Sequence, residues 1–196
     1  MDQSSFTYIV IIMSIVIIIK LYLDGDFFQL KCIISDIDGN KYCVREKSRI
    51  HEAADLLANI NVKMRKIVEY MSKNYPEKPN IKRLVDGFNP SRINETLPTS
   101  EYTAYSENKG QKLAFCLRRR KNGTKLIDEN TLMFVALHEL SHIMTSTIGH
   151  TDEFWQNFKF LLQHAVKQKI YNPINYKKNP QPYCGMDITD NPYYDL

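Results

Sequence analysis

A pair of histidines four residues apart constrains this chain of 196 residues more than any other feature. His138 and His142 belong to the stretch HELSH, and on a helix they lie on one face, a single turn apart. Two imidazoles in that arrangement can bind one Zn²⁺ ion, whose nitrogen ligands stand about 2.0–2.1 Å away. Glu139 is placed to take a proton from a water at such an ion. The motif therefore predicts a zinc-dependent hydrolase.

The segment before HELSH predicts a helix that is buried along one side. Asp128 or Asn130 can cap the start of this helix with a side-chain oxygen. The alternative is a helix whose histidines face solvent or form hydrogen bonds, with Glu139 in a surface pair. The apolar positions that favour the buried helix are Leu132, Met133, Val135, Ala136 and Leu137.

A third histidine, His150, follows in the stretch GHTDEFW. Gly149 can adopt a left-handed conformation and turn the chain back towards the helix, so His150 is the predicted third ligand. A carboxylate, Asp152 or Glu153, is the alternative. Thr151 or Asp152 can then cap a further helix. Apolar residues recur in that helix at helical spacing, at Phe154, Phe158, Leu161, Leu162, Ala165 and Val166.

HELSH followed by GHTDEFW resembles the pattern of the WLM and SprT-like zinc metallopeptidases, in which a third histidine and an aromatic residue follow HExxH. The stretches YTAYSENKGQKLAFCLR and PYCGMDIT resemble the WLM-like metallopeptidases of large DNA viruses of eukaryotes. The likeness covers roughly residues 45–190. Compact relatives often have the third histidine six residues after the second, whereas here the spacing is eight. The resemblance implies zinc ligands at His138, His142 and His150 and a catalytic glutamate at Glu139.

The remaining pattern predicts an α+β, zincin-like domain over residues 26–196, in which core helices pack on a small, mostly antiparallel sheet. By analogy with zincins, one strand of its second hairpin borders the cleft and pairs with an extended peptide. The tail beyond residue 171, rich in proline, asparagine and tyrosine, is expected to wrap the surface without regular elements. The predicted elements are a hairpin over residues 27–46, a helix over 48–74, a short helix ending at Gly87, a loop over 89–100 and a hairpin turning at 108–110.

The amino terminus carries an apolar run from Phe6 to Leu23, interrupted by Thr7, Ser14 and Lys20. As a helix this run extends roughly 27 Å, close to the thickness of a hydrocarbon core. We therefore predict a membrane anchor in residues 1–25 of a single-pass protein, in a host or virion membrane. A cleaved signal peptide and a buried core helix are the alternatives. Basic residues after the run place the catalytic domain on the cytosolic side.

Charge and cysteine content add little about function. The net charge of +4 is mild and does not by itself indicate a nucleic-acid partner. Cys32, Cys43, Cys116 and Cys184 lie far apart without a CxxC pair. Free, partly buried thiols are the favoured interpretation, and disulfides, for which three pairings exist, are the alternative.

A basic run begins at Arg118 and continues through Arg119, Arg120 and Lys121. A solvated loop is the simplest interpretation of such a run. Contact with nucleic acid, phospholipid head groups or an acidic substrate is the functional alternative.

Two tail residues have candidate roles beside a metal. Tyr183 could donate a hydrogen bond to a developing oxyanion, and Met186 could form a hydrophobic floor under the site. The predicted function is a membrane-anchored zinc endopeptidase acting on a protein or peptide. The alternative is an inactive zinc-stapled membrane or virion binding protein, in which Cys184 would be a fourth zinc ligand.

Overall fold

The computed structural model describes residues 3–24 and 30–195, and in the first segment it places the side chains of residues 7–21. The helices are α1 (Gln3–Asp24), α2 (Ile50–Asn74), α3 (Pro79–Gly87), α4 (Glu129–Met144) and α5 (Asp152–Lys167). The strands are β1 (Leu30–Ile34), β2 (Lys41–Arg45), β3 (Ile93–Glu95), β4 (Ala104–Glu107), β5 (Lys112–Phe115), β6 (Gln181–Tyr183) and β7 (Met186–Ile188).

The central sheet has three strands in the order β3-β5-β4. Strand β3 runs parallel to β5, whereas β4 is antiparallel to β5 and forms an edge. Two antiparallel hairpins, β1–β2 and β6–β7, complete the strands. In the described part of the chain three of the four strand pairings are antiparallel. The predicted α+β class is confirmed, although the central sheet is mixed rather than mostly antiparallel.

Helix α4 forms the centre of the core. It packs against α2, α3 and α5 and against strand β4, and nearly all of its side chains are buried. The Asp128 carboxylate caps its start by accepting a hydrogen bond from the Thr131 amide at 2.9 Å. Asn130, the other predicted cap, instead bonds the backbone of Asn172. A helix held on several sides is a rigid base for functional side chains.

Two segments predicted to be irregular contain strands. The predicted loop over residues 89–100 includes β3, which becomes a strand because β5, some twenty residues later, supplies a parallel partner. The tail forms the β6–β7 hairpin, with Cys184 and Gly185 at its turn. The amide of Cys184 donates to the carbonyl of Arg118 at 2.9 Å, so the tail lies along the chain that follows β5.

The cysteines form two disulfides, Cys32–Cys43 and Cys116–Cys184, so the interpretation as free thiols is wrong. Cys32 and Cys43 lie directly opposite each other in the β1–β2 hairpin. Cys116 and Cys184 are 68 positions apart and meet because the tail pairs with the backbone after β5. That contact is long-range, which is why spacing alone does not reveal the pair.

The prediction of a single-pass membrane protein with a cytosolic catalytic domain is wrong, because within the described residues no helix combines the length and apolarity needed to cross a membrane. The predicted ends of the anchor, the side chains of Phe6 and Leu23 and residue 25, lie outside the described residues.

Candidate metal centre

The three predicted histidines converge on one point at the carboxyl end of α4. His138 and His142 project from adjacent turns of the helix, and Gly149, with φ +85°, turns the following loop so that His150 returns to them. The His138 Nε2 atom lies 3.2 Å from that of His142 and 3.0 Å from that of His150. A nitrogen from each ring lies within 4.8 Å of the other two, an arrangement that could hold a metal ion.

A single phenylalanine supports all three imidazoles. The ring centroid of Phe154 lies 4.8 Å from that of His138, 4.4 Å from that of His142 and 4.6 Å from that of His150. Phe154 is fully buried in the first turn of α5. Its helical spacing predicts a core residue alone, although its position four residues after His150 places it on the turn nearest the site. Met186, the predicted floor, is half-exposed.

The two imidazoles on α4 are held in the neutral form that metal ligands require. Burial, followed by the nearby charges of His142 and His150, lowers the pKa of His138 to about 3. Burial is also the main cause that lowers the pKa of His142 to about 4. Together with His150, these rings bring three nitrogen atoms to one point. This donor set fits zinc, which in catalytic sites takes three protein ligands and keeps a fourth position open.

Glu139 lies next to the first histidine and faces the same cleft. It is only 5% exposed, and burial raises the pKa of its carboxyl to about 8. A buried carboxyl beside three imidazoles can exchange a proton near neutral pH. The two carboxylates that are the alternative third ligands have surroundings unlike those of Glu139. Asp152 is exposed, and Glu153 is occupied by Arg83 and Ser146.

Tyr183 lines the same cleft. Its buried hydroxyl donates to the backbone carbonyl of Thr103 at 3.0 Å. Burial and then the charge of Glu139 raise the pKa of this phenol well above its usual value, so the hydroxyl keeps its proton. Cys184, the candidate fourth ligand, is bonded to Cys116 and therefore has no free thiolate for a metal.

The cleft has a volume of about 1340 Å³ and is bordered on one side by edge strand β4. The three histidines, Glu139 and Tyr183 lie in its wall, and Tyr105 of β4 faces it. An edge strand offers unpaired backbone groups to an extended chain. The arrangement therefore places a pairing surface next to the histidines.

The basic run does not form the expected solvated loop. Arg118 is fully buried and lies 3.6 Å from the Glu95 carboxylate, measured from its Nε atom. Its guanidinium also donates to the carbonyl of Thr124 at 2.8 Å. Arg120 is exposed, while Arg119 and Lys121 are half-buried. A buried, paired arginine cannot contact phosphates, so Arg118 cannot belong to a nucleic-acid surface. A nucleic-acid partner is therefore not supported.

Comparison with known proteins identifies the family. The model of the WLM domain matches residues 44–181 of this chain. The chain therefore belongs to the WLM domain family, as its motifs predicted.

Its relatives include proteins of large DNA viruses. The protein R325 of Acanthamoeba polyphaga mimivirus is 32% identical over 194 residues, which cover 94% of this chain and 98% of R325. The protein 042R of Invertebrate iridescent virus 3 is 38% identical over 84 residues, 42% of this chain and 50% of 042R. The predicted likeness to WLM proteins of large DNA viruses is confirmed.

One crystal structure aligns with part of this chain. The crystal structure of Wss1 from Saccharomyces cerevisiae superimposes with a TM-score of 0.46 and 21% sequence identity. The match covers 64% of this chain and 88% of the Wss1 chain.

Proposed function

We propose that this chain is a zinc-dependent endopeptidase that hydrolyses peptide bonds in a protein or peptide substrate. One observation carries the proposal: three histidine nitrogens converge beside a buried glutamate in the wall of an open cleft. Membership of the WLM domain family supports the same assignment. Within the described residues no cation pairs with the buried Glu139. A structural role for the site does not require such a carboxyl, whereas proton transfer does.

His138, His142 and His150 would hold the ion, and Phe154 keeps their rings in place. When bound, zinc would supply a Lewis acid that lowers the pKa of a water and polarises the scissile carbonyl. The ion is also expected to lower the pKa of nearby Glu139, since a positive charge favours the carboxylate form. Burial raises the pKa of this carboxyl and the cation would lower it, so the pKa would lie within the range useful for general acid–base catalysis.

Glu139 carries the proton transfers. Its carboxylate accepts a proton from the attacking water and later returns that proton to the leaving amine of the substrate. Burial keeps bulk water away from the carboxyl, so the proton stays with the reacting groups. The Tyr183 hydroxyl is proposed as an oxyanion donor, a role in which it would turn away from the carbonyl of Thr103.

Strand β4 would bind the substrate as an additional antiparallel strand. Its free edge borders the cleft, and backbone hydrogen bonds from an edge strand hold an extended peptide with little dependence on sequence. Such pairing would bring a peptide bond past the histidines.

The second candidate, an inactive zinc-stapled binding protein, is less well supported. A structural zinc site is usually closed by four protein ligands. Cys184, the residue proposed to close it, forms a disulfide with Cys116.

The test uses the full chain, with zinc content and cleavage of a peptide library measured on the same preparations. Glu139→Gln should retain stoichiometric zinc and lose about 10²- to 10⁴-fold in turnover, the usual contribution of a general acid–base group. Glu69→Gln, which changes an exposed carboxylate on α2, is the matched control and should retain full turnover. Unchanged turnover in Glu139→Gln would remove the hydrolase assignment.

A further inference from the structure

The loop that brings His150 to the site is exposed, and a lysine is among the residues that hold its backbone. Residues 146–150 all have exposed side chains. The Nζ atom of Lys109 donates to the carbonyl of Thr145 at 2.8 Å and to that of Thr147 at 2.8 Å. It also lies 3.4 Å from the carbonyl of His142. One ammonium group thus joins the end of α4 to the loop that leads to His150.

The turn that carries Lys109 adopts an uncommon backbone conformation. Asn108 and Lys109 have φ angles of +47° and +54°, in the left-handed region, and Gly110 follows at +103°. For residues other than glycine this conformation costs on the order of 1 kcal/mol or more each. Two such residues in succession persist only where the surroundings fix them, and they frequently mark functional positions.

Two glycines fix this turn against α3 and α4. A Cβ atom at Gly87 would lie 2.4 Å from the carbonyl oxygen of Lys109 and 2.6 Å from Cγ2 of Ile143. A Cβ atom at Gly110 would lie 2.4 Å from the carbonyl oxygen of Gly87. Only glycine permits such close approach. Because Ile143 directly follows His142, the turn is seated on the part of α4 that carries the motif.

A separate set of contacts holds the opposite side of the loop. Arg83 donates through Nε to the carbonyl of Met144 at 2.7 Å and through its terminal nitrogen to Glu153 at 2.7 Å. The Glu153 carboxylate accepts from the amide of Ser146 and, at 2.6 Å, from its hydroxyl. The same carboxylate also accepts from the backbone of Thr147, and the Thr147 hydroxyl lies 2.8 Å from that of Thr151. Lys109 adds a donor to the carbonyl of Thr147, three residues before His150, and ties this part of the loop to the end of α4.

We infer that Lys109 is a positioning residue for His150, the third imidazole of the proposed metal centre. The ammonium group neutralises the carbonyl dipoles that converge at the end of α4 and so holds the loop in the arrangement that presents His150. Without it, the loop would have to be ordered when the metal binds, and that entropy cost would weaken binding. The inference rests on the proposed zinc site and adds the residue that prepares it.

The test measures the zinc affinity of the full chain by competition with a chromophoric chelator. Lys109→Met preserves the length of the side chain and removes its donors, and it should weaken zinc binding by about tenfold or more, as loss of supporting contacts typically does. Lys66→Met removes an exposed lysine on α2 and should leave the affinity unchanged. Lys109→Arg keeps the positive charge and should therefore retain part of the zinc affinity that Lys109→Met loses.

A double-mutant comparison separates positioning from general destabilisation. If Lys109 acts through His150, then Lys109→Met in a His150→Ala background should change zinc affinity less than about twofold. An equal loss in both backgrounds would overturn the inference, as would a wild-type affinity in Lys109→Met. Faster amide exchange confined to residues 146–150 of the metal-free Lys109→Met protein would support it, and exchange at the wild-type rate there would contradict it. Absence of zinc from the wild-type chain would instead defeat the proposed function itself.

Discussion

Two buried glutamates of this protein have opposite surroundings. Glu95 is 1% exposed and Glu139 is 5% exposed, and burial raises the pKa of both. Around Glu95 the charges of Arg45 and Arg118 oppose that rise, and the amide of Arg45 donates to its carboxylate at 2.8 Å. Among the described residues no cation opposes the rise for Glu139. The first carboxylate is compensated and the second is not.

The difference separates a structural cluster from a chemical one. The Arg45 guanidinium also donates to carbonyls of Thr96, Leu97 and Lys121, so the cluster ties β2 to the segments after β3 and β5. Glu139 instead faces an open cleft beside three imidazoles. An uncompensated buried carboxyl costs stability, and such groups concentrate where function requires them. A cation in the cleft would supply the compensation that Glu139 lacks.

Removing the compensated carboxylate should have the largest effect on stability. Glu95→Gln leaves two buried guanidinium groups without a counter-charge, which typically costs about 3–5 kcal/mol. Urea unfolding of the metal-free protein at pH 7 measures this change. A loss below about 1 kcal/mol would mean that the Arg45–Glu95–Arg118 cluster is not a structural unit.

Removing the uncompensated carboxylate should stabilise the metal-free protein at alkaline pH. The folded-state pKa of Glu139 is about 8 against an ordinary value of 4.5, so folded protein binds the proton more tightly and stability falls as pH rises from 4.5 through 8. Glu139→Gln should abolish this loss, which amounts to on the order of 3 kcal/mol between pH 6 and pH 9. The free energy of unfolding, measured from pH 6 to 9 in the presence of a chelator, tests this prediction. An unchanged slope in the variant would contradict it.

The histidines should give the opposite slope in acid, and both Glu95→Gln and Glu139→Gln should retain that slope. His138 and His142 have folded-state pKa values of about 3 and 4 against an ordinary value of 6.5. The unfolded chain therefore binds more protons below pH 6.5, and stability falls as pH decreases towards 3. Replacement of both histidines by glutamine should flatten the acid limb of the same unfolding series. An acid limb as steep as in wild type would show that other groups produce it.

The smallest expected effect on stability is at the cap of α4. A substitution there separates the stability of the helix from the chemistry of the site. Asp128→Ala removes the acceptor for the Thr131 amide and should cost about 1 kcal/mol. Zinc affinity should stay within about twofold of wild type, since the cap lies more than two turns from His138. Thermal unfolding with zinc titration measures both. A large loss of zinc would show that the site depends on helix stability rather than on its own contacts.

Most of the candidate site could be predicted because its parts are local. The spacing of His138 and His142, the cap at Asp128 and the glycine before His150 all act within a few residues. The structure brings the three histidines together as the motif suggests. Their roles as zinc ligands, and that of Glu139 in proton transfer, stay predictions for the experiments above.

What could not be predicted depends on contacts between distant residues. Arg118 belongs to a basic run, and its burial follows from Glu95, 23 positions earlier. Cys116 and Cys184 meet only because the tail pairs with the chain after β5. Lys109 occupies a predicted hairpin turn, but its contact with the loop before His150 requires α3, α4 and the turn to be packed together. Periodicity carries no information about such pairings.

The central claim is an open three-imidazole zinc site, and X-ray absorption at the zinc edge of the full chain tests it most directly. With one equivalent of zinc we expect three imidazole nitrogens and one oxygen at about 2.0–2.1 Å, without sulfur. Glu139→Gln should leave this spectrum unchanged, and His150→Ala should remove one nitrogen. A spectrum with sulfur, a fourth protein ligand or no bound zinc would contradict the claim.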